Sequence, residues 1–288
     1  AENTDDDFAA WPEFIARGCG FDNAPVVHGG DTFSIQYTSG TTGQPKAALV
    51  SHRAYISNSF AIAERQGLTG NDVVCIPLPL FHAYGCLTML SAFAAGAAAV
   101  VIERFRAADI LAAVERYGGT SISGTPTMFV AALSELDERV YDLSSMRGGN
   151  VAGAFCPPEL VRQVIERMHA PEFGILYGST EALVGLMNSP DALLVDRSGT
   201  VGVPMPGYAA KIADSRSGET LPPGEQGELL LHGPGLMQGY YRMPEATAHT
   251  IDEQGWLHSG DLAVADATGR FRITGRIKEL IIRGGENV

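Results

Sequence analysis

Positive charge is scarce in this chain. Its 288 residues carry 20 Lys and Arg against 33 Asp and Glu, a formal net charge of −13. Nucleic-acid binding rests on Lys and Arg neutralising phosphates, so this balance argues against a DNA or RNA partner. Cysteine is scarce as well: Cys19, Cys75, Cys86 and Cys156 are scattered, without metal-like pairing. Reduced, buried thiols in a cytoplasmic protein are the expectation. The acidic start, Ala1 to Asp7, is unlike a secretory signal. There is no Gly-x-Ser-x-Gly elbow, which lowers a hydrolase reading. His28, His52, His169, His232, His249 and His258 show no pairing that suggests zinc. An uncharged stretch from Gly85 to Ile102 is long enough to raise a membrane span, but its grammar is broken. Leu87–Ala95 suits a helix, Gly96 stops it, and Ala97–Ile102 reads as a buried strand.

What is present is an ordered globular composition, 45% hydrophobic and 18% charged, with ample surface to bury. From Phe33 to about Ser189, strand-like runs alternate with helical ones. The strands expected are Phe33–Thr38, Val73–Ile76, Ala98–Ile102, Thr120–Ser123, Gly149–Ala152 and Phe173–Leu176. The helices expected are His52–Gln66, Tyr84–Ala95, Ala107–Tyr117, Pro126–Leu133 and Pro158–Met168, with a short one over Trp11–Arg17. Such alternation predicts a layered α/β sheet with flanking helices and ligands beyond the strand ends. Near Asp196 the texture changes to glycines, prolines and short strands such as Ala209–Ala213 and Gly227–His232. Hairpin signals at Asp214–Glu219 and Ala267–Arg270 complete the expectation of a small β-barrel subdomain.

The segment between Tyr37 and Lys46 is the most informative. It packs Thr38, Ser39, Thr41 and Thr42, the glycines Gly40 and Gly43, and Lys46 into one turn-forming stretch. Glycine lets backbone approach a ligand closely, and clustered N–H and O–H groups form a concave donor surface for phosphate oxygens. Lys46 adds a point charge. The spacing is not that of a Walker A loop, and Ala47 stands where a magnesium-binding Ser or Thr would be, so a P-loop kinase or GTPase is disfavoured.

This loop resembles the phosphate-binding signature of the adenylate-forming superfamily, and further motifs follow in that family's order. They are Pro79 to His82; Ala152 to Ala154 before Pro157 to Leu160; Tyr177 to Ala182; Gly227 to Leu229 with Gly239 to Tyr241; Trp256 to Asp261; and Gly275 to Glu279. The resemblance, nearest to acyl- and aryl-CoA synthetases, covers nearly everything after Ser34. It implies a fragment: residues 1–195 as part of a large N-terminal domain, 196–275 as the β-barrel subdomain, and 276–288 as the hinge to an absent C-terminal domain. That absent domain would carry the family's catalytic lysine, which Lys46 is not.

The reaction implied has two steps, in which a fatty or aromatic carboxylate attacks the α-phosphorus of ATP and the acyl-adenylate then passes to coenzyme A. An enzyme loading a carrier-protein thiol, and a nucleotide-binding fragment without turnover, stay open as alternatives. The resemblance assigns Thr41, Thr42 and Lys46 to the β- and γ-phosphates and Thr180 to the α-phosphate, with Thr38, Ser39, Gly40, Gly43, Gly178 and Ser179 also binding the nucleotide. Glu181 would ligate Mg²⁺; the plain alternative is an acidic helix N-terminus. Tyr177 would stack on adenine, with Gly153, Ala154 and Phe155 on its other side. Asp261 would accept the ribose hydroxyls with Arg276 beside it, the alternative being an Asx-turn closing a hairpin. His82 would stand near the incoming acid, where its alternative is a hydrogen-bonded core residue, and Lys278 would be the hinge. Leu183 to Leu186, with Phe155, suggest a pocket for an uncharged tail. The partners implied are a small carboxylic acid and CoA, without a membrane span; a homodimer stays open.

Overall fold

A computed structural model describes residues 12–13, 25–38 and 45–277, together with the backbone of 282–283 and 286–287. Its centre is a seven-stranded sheet of β3 (Val73–Ile76), β4 (Ala98–Val101), β5 (Ser121–Gly124), β6 (Gly148–Val151), β7 (Gly174–Ser179), β8 (Leu183–Met187) and β9 (Val203–Pro204). The spatial order is β4-β3-β5-β6-β7-β8-β9. The first five run parallel, while β8 and β9 join antiparallel. The alternation read from the sequence is therefore present.

Helices cover both faces. On one lie α1 (His52–Arg65) and α2 (Ala83–Ala94), whose Tyr55, Ile62 and Leu87 share a core with Leu176 and Val184. On the other lie α3 (Ala107–Tyr117), α4 (Pro126–Glu138) and α5 (Pro158–Arg167), whose Leu111, Phe129 and Val161 pack with Ile122, Val151 and Ile175. Ile175 and Leu176 thus face opposite layers and are both buried, as a strand sandwiched between helices requires. Local chemistry sets the helix starts: the Ser51 hydroxyl accepts the Ala54 N–H at 3.2 Å, and Pro126 and Pro158 open α4 and α5 where a missing N–H costs nothing. Emptying a site as closed as that of Leu111 would cost about 2–5 kcal/mol.

Gly85–Ile102 resolves into α2, a left-handed Gly96 and β4. However, β4 is the sheet's outer strand, and its Val101 is exposed rather than buried. No described helix is long and apolar enough to cross a membrane. Cys75, Cys86 and Cys156 are buried free thiols, and Cys19 lies outside the described residues, as does most of the helix expected over Trp11–Arg17.

A second sheet joins β1 (Thr32–Thr38), β2 (Lys46–Ser51) and β12 (Gly239–Tyr240). The sequence reading missed β2, because its apolar residues lack the clean alternation of a half-buried strand. A third sheet runs β10 (Ala209–Ala213), β11 (Gln226–His232), β13 (Leu257–Ala265) and β14 (Phe271–Arg276), all antiparallel. Its described strands form an open sheet with β10 and β14 at the edges, whereas the expected barrel would require those two to pair. Burial explains why no closure is needed: Leu229, Leu231, Leu257 and Phe271 pack into the same core as α3 to α5.

Candidate active site

The candidate residues gather where the parallel strands end. In open α/β sheets ligands sit beyond the carboxyl ends of the strands. There the loop after β3 carries His82, that after β6 carries Gly153, Ala154 and Phe155, and the turn after β7 carries Thr180 and Glu181. Beside them stands the hairpin of β1 and β2, in which Thr38 faces Lys46 and its hydroxyl donates to the Lys46 carbonyl at 3.4 Å. Ser39, Gly40, Thr41, Thr42 and Gly43 lie between these two positions and outside the described residues; Lys278 is outside them too.

Glu181 occupies the turn of the β7–β8 hairpin, not a helix start, so the helix-dipole alternative falls away. Three features hold that turn. The Ser179 hydroxyl accepts the Ala182 N–H at 3.2 Å. Gly178 passes so close to β8 that a Cβ would meet the Leu183 carbonyl oxygen at 2.1 Å, which excludes any other residue. Leu183 itself has φ of 52°, a sparsely populated conformation of the kind that clusters at functional turns. Leu183 and Val184 are buried in the core shared with α1, and Leu186 is buried in the core of the opposite layer. Asn58 of α1 fixes it, donating to the Val184 carbonyl at 2.9 Å and accepting the Val184 N–H at 3.2 Å.

Two clusters emerge. In the first, Tyr240 donates its hydroxyl to Oε1 of Glu181 at 2.7 Å while the Lys46 ammonium lies 4.4 Å above the same ring. The Met237 N–H also donates to the Glu181 carbonyl at 2.7 Å. In the second, Oδ2 of Asp261 accepts from the Tyr177 hydroxyl at 2.5 Å and Oδ1 from Nε of Arg276 at 2.9 Å. Asp261 sits inside β13, paired with Arg276 of β14, so it is no hairpin-closing Asx residue. Burial raises the Tyr177 phenol well above its ordinary range, as does the Asp261 charge, so the proton stays on the phenol.

The remaining candidates stand apart. His82 caps α2, its Nδ1 accepting the Tyr84 N–H at 3.2 Å, and burial lowers its pKa so that the imidazole is neutral near pH 7. Phe155 is 78% exposed. Among the described residues, no hydrogen bond or ion pair joins His82 or Phe155 to either cluster.

Among the described residues no three His, Cys, Asp or Glu gather as a metal cage. Mg²⁺ does not need one: it is commonly held by one or two carboxylates plus substrate phosphates. Glu181 fits that donor set, with one oxygen engaged by Tyr240 and the other accepting no hydrogen bond from the described residues.

Tyr240 and Glu228 are structural partners to which the sequence reading gave no role. Glu228, buried in β11, accepts the Gly260 N–H at 3.0 Å through Oε1 and holds Nδ1 of His258 at 2.9 Å through Oε2, steadying the approach to Asp261. The signal was available: a glutamate within an otherwise apolar strand run implies a buried partner.

Residues 2–241 match the model of a family described as AMP-binding enzyme. YngI of Bacillus subtilis (strain 168) is 42% identical over 261 residues, covering 90% of this chain and 47% of that protein. The mitochondrial medium-chain acyl-CoA ligase ACSF2 of Rattus norvegicus is 39% identical over 265 residues, 90% of this chain and 43% of its own. ATP-bound MatB from Rhodopseudomonas palustris superposes with a TM-score of 0.82 at 30% identity, covering 91% of this chain and 51% of its own. The chain spans about half the length of the curated relatives it matches. A match over this much of the chain makes it a member of the AMP-binding enzyme family.

Proposed function

We propose that the complete protein is an ATP-dependent acid–CoA ligase. The observation that carries this reading is that Lys46 and Glu181 both meet Tyr240, one over its ring and the other on its hydroxyl. A chain of net charge −13 repels a triphosphate at long range, so affinity must come from local donors. Lys46 and the loop from Thr38 to Gly43 would hold the β- and γ-phosphates, and Thr180 the α-phosphate. Mg²⁺, held by Glu181, would supply Lewis-acid neutralisation of the phosphate oxygens. Asp261 would accept the ribose hydroxyls, since a carboxylate has about four lone-pair sites and only two are used here. Tyr177, with Gly153 to Phe155 opposite, would bracket the adenine.

In the first step a carboxylate oxygen attacks the α-phosphorus and the bond to pyrophosphate breaks. In the second the CoA thiolate attacks the acyl carbonyl and AMP leaves. His82, neutral and donating from Nε2, is suited to orient the incoming carboxylate. The name of ACSF2 supports a fatty acid as substrate and CoA as acceptor. We assign residues 1–195 to nucleotide and acid, the sheet within 196–275 to the ribose side, and 276–288 to a hinge moved at Lys278.

The test is pyrophosphate release by the intact protein across a panel of fatty and aromatic acids, with the thioester measured separately. Acid-dependent release followed by CoA thioester formation is the expected result. Release with transfer only to a phosphopantetheinylated carrier would replace the CoA reading.

A further inference from the structure

We propose that Tyr240 is a positioning residue that holds Lys46 and Glu181 apart and fixes which carboxylate oxygen of Glu181 faces magnesium-bound nucleotide. The inference rests on the ATP-binding reading above. Tyr240 is 5% exposed, and four interactions fix it. It pairs with Ala48 of β2, and its N–H donates to the Thr247 hydroxyl at 2.8 Å. Its phenol donates to Oε1 of Glu181 at 2.7 Å, and its ring face carries the Lys46 ammonium at 4.4 Å.

Lys46 starts β2 of the second sheet and Glu181 sits in the β7–β8 turn of the central one, and no salt bridge joins them among the described residues. A cation and a carboxylate brought this near would otherwise be drawn into a direct pair that neutralises both. The ring prevents that by giving the ammonium a face to rest on. The hydroxyl holds the carboxylate by a charge-assisted bond. One oxygen of Glu181 is thereby spent and the other left for the metal.

The test uses isothermal titration of the 288-residue chain with the β,γ-imido analogue of ATP, in Mg²⁺ and in EDTA. Tyr240→Phe keeps the ring and removes only the hydroxyl. The gain in affinity that Mg²⁺ confers should fall by about tenfold, the worth of one charge-assisted bond, with binding in EDTA unchanged. Tyr240→Leu should weaken binding in EDTA as well, because Lys46 then pairs with Glu181. Glu181→Gln should remove the Mg²⁺ gain to the same level with or without Tyr240→Phe. A wild-type Mg²⁺ gain in Tyr240→Phe, or additive losses with Glu181→Gln, would overturn the positioning role and leave the ATP reading standing. No Mg²⁺-dependent binding by the wild-type chain would overturn both.

Discussion

The two ends of the central sheet are built on opposite principles. Where the strands begin, Arg147 ties three segments together. Its Nε donates to Oδ1 of Asp72 at 2.7 Å, its Nη1 pairs with Glu172, and its remaining donors reach the carbonyls of Gln66 and Gly67 at 3.2 and 3.1 Å. Thr120 adds its hydroxyl to Asp72 at 2.7 Å. Where the strands end, polar groups stand in exposed loops with few mutual bonds, and a left-handed Leu183 follows the Glu181 turn. One end spends its hydrogen-bonding capacity on itself; the other leaves it free for the nucleotide proposed above. Stability and binding can therefore be perturbed separately, since the two ends share no side chain.

Arg147→Ala should test that separation most severely. It leaves Asp72 buried without its cation, at a cost of about 3–5 kcal/mol in chemical denaturation. Nucleotide affinity of the folded fraction should not change; a parallel loss would mean the ends are coupled. Glu181→Gln is the mirror experiment. Turnover of the intact protein should fall by a factor on the order of 10²–10³, while the denaturation midpoint stays put. Asp261→Ala comes next, weakening ATP by about 1.5–3 kcal/mol and leaving the acid's KM nearly untouched. Unchanged ATP affinity by titration would remove the ribose assignment.

A smaller effect is expected from acid. Burial by itself would raise Asp72, but hydrogen bonds from Arg147, Thr120 and the Thr69 N–H outweigh it and pull the pKa down to about 2. Its contribution, about 2 kcal/mol, is thus full above the ordinary carboxylate pKa of 3.8 and is lost as pH falls toward about 2. Arg147→Ala should flatten that part of the stability–pH curve. The smallest effect separates His82 the cap from His82 the acid-binding group. His82→Ala should cost about 1 kcal/mol of stability, and His82→Asn, which can cap, should restore it. Activity that returns with Asn would make His82 structural only.

Much of this was legible in the chain itself. Alternating runs located β3 to β7 and α1 to α5 within a few residues, because period, N-terminal prolines and Gly96 act over a single turn. The Pro126 helix extends beyond Leu133 to Glu138, since the half-buried Leu136 still packs against the core and Glu135 bonds the Tyr141 hydroxyl. Strands β2 and β8 were not recognised. Their apolar residues are buried against helices and another sheet, so neither shows the alternation that marks a strand from sequence.

Local chemistry, then, determined the elements, the polar make-up of the loops and the acid-rich surface, since each depends on neighbours a few residues away. The tertiary structure alone decided that Tyr240 would touch both Lys46 and Glu181, that Tyr177 would bond Asp261, and that β10, β11, β13 and β14 would form an open sheet. Those contacts join residues as much as 194 positions apart (240 − 46), and are set by strand order and register rather than by any local pattern.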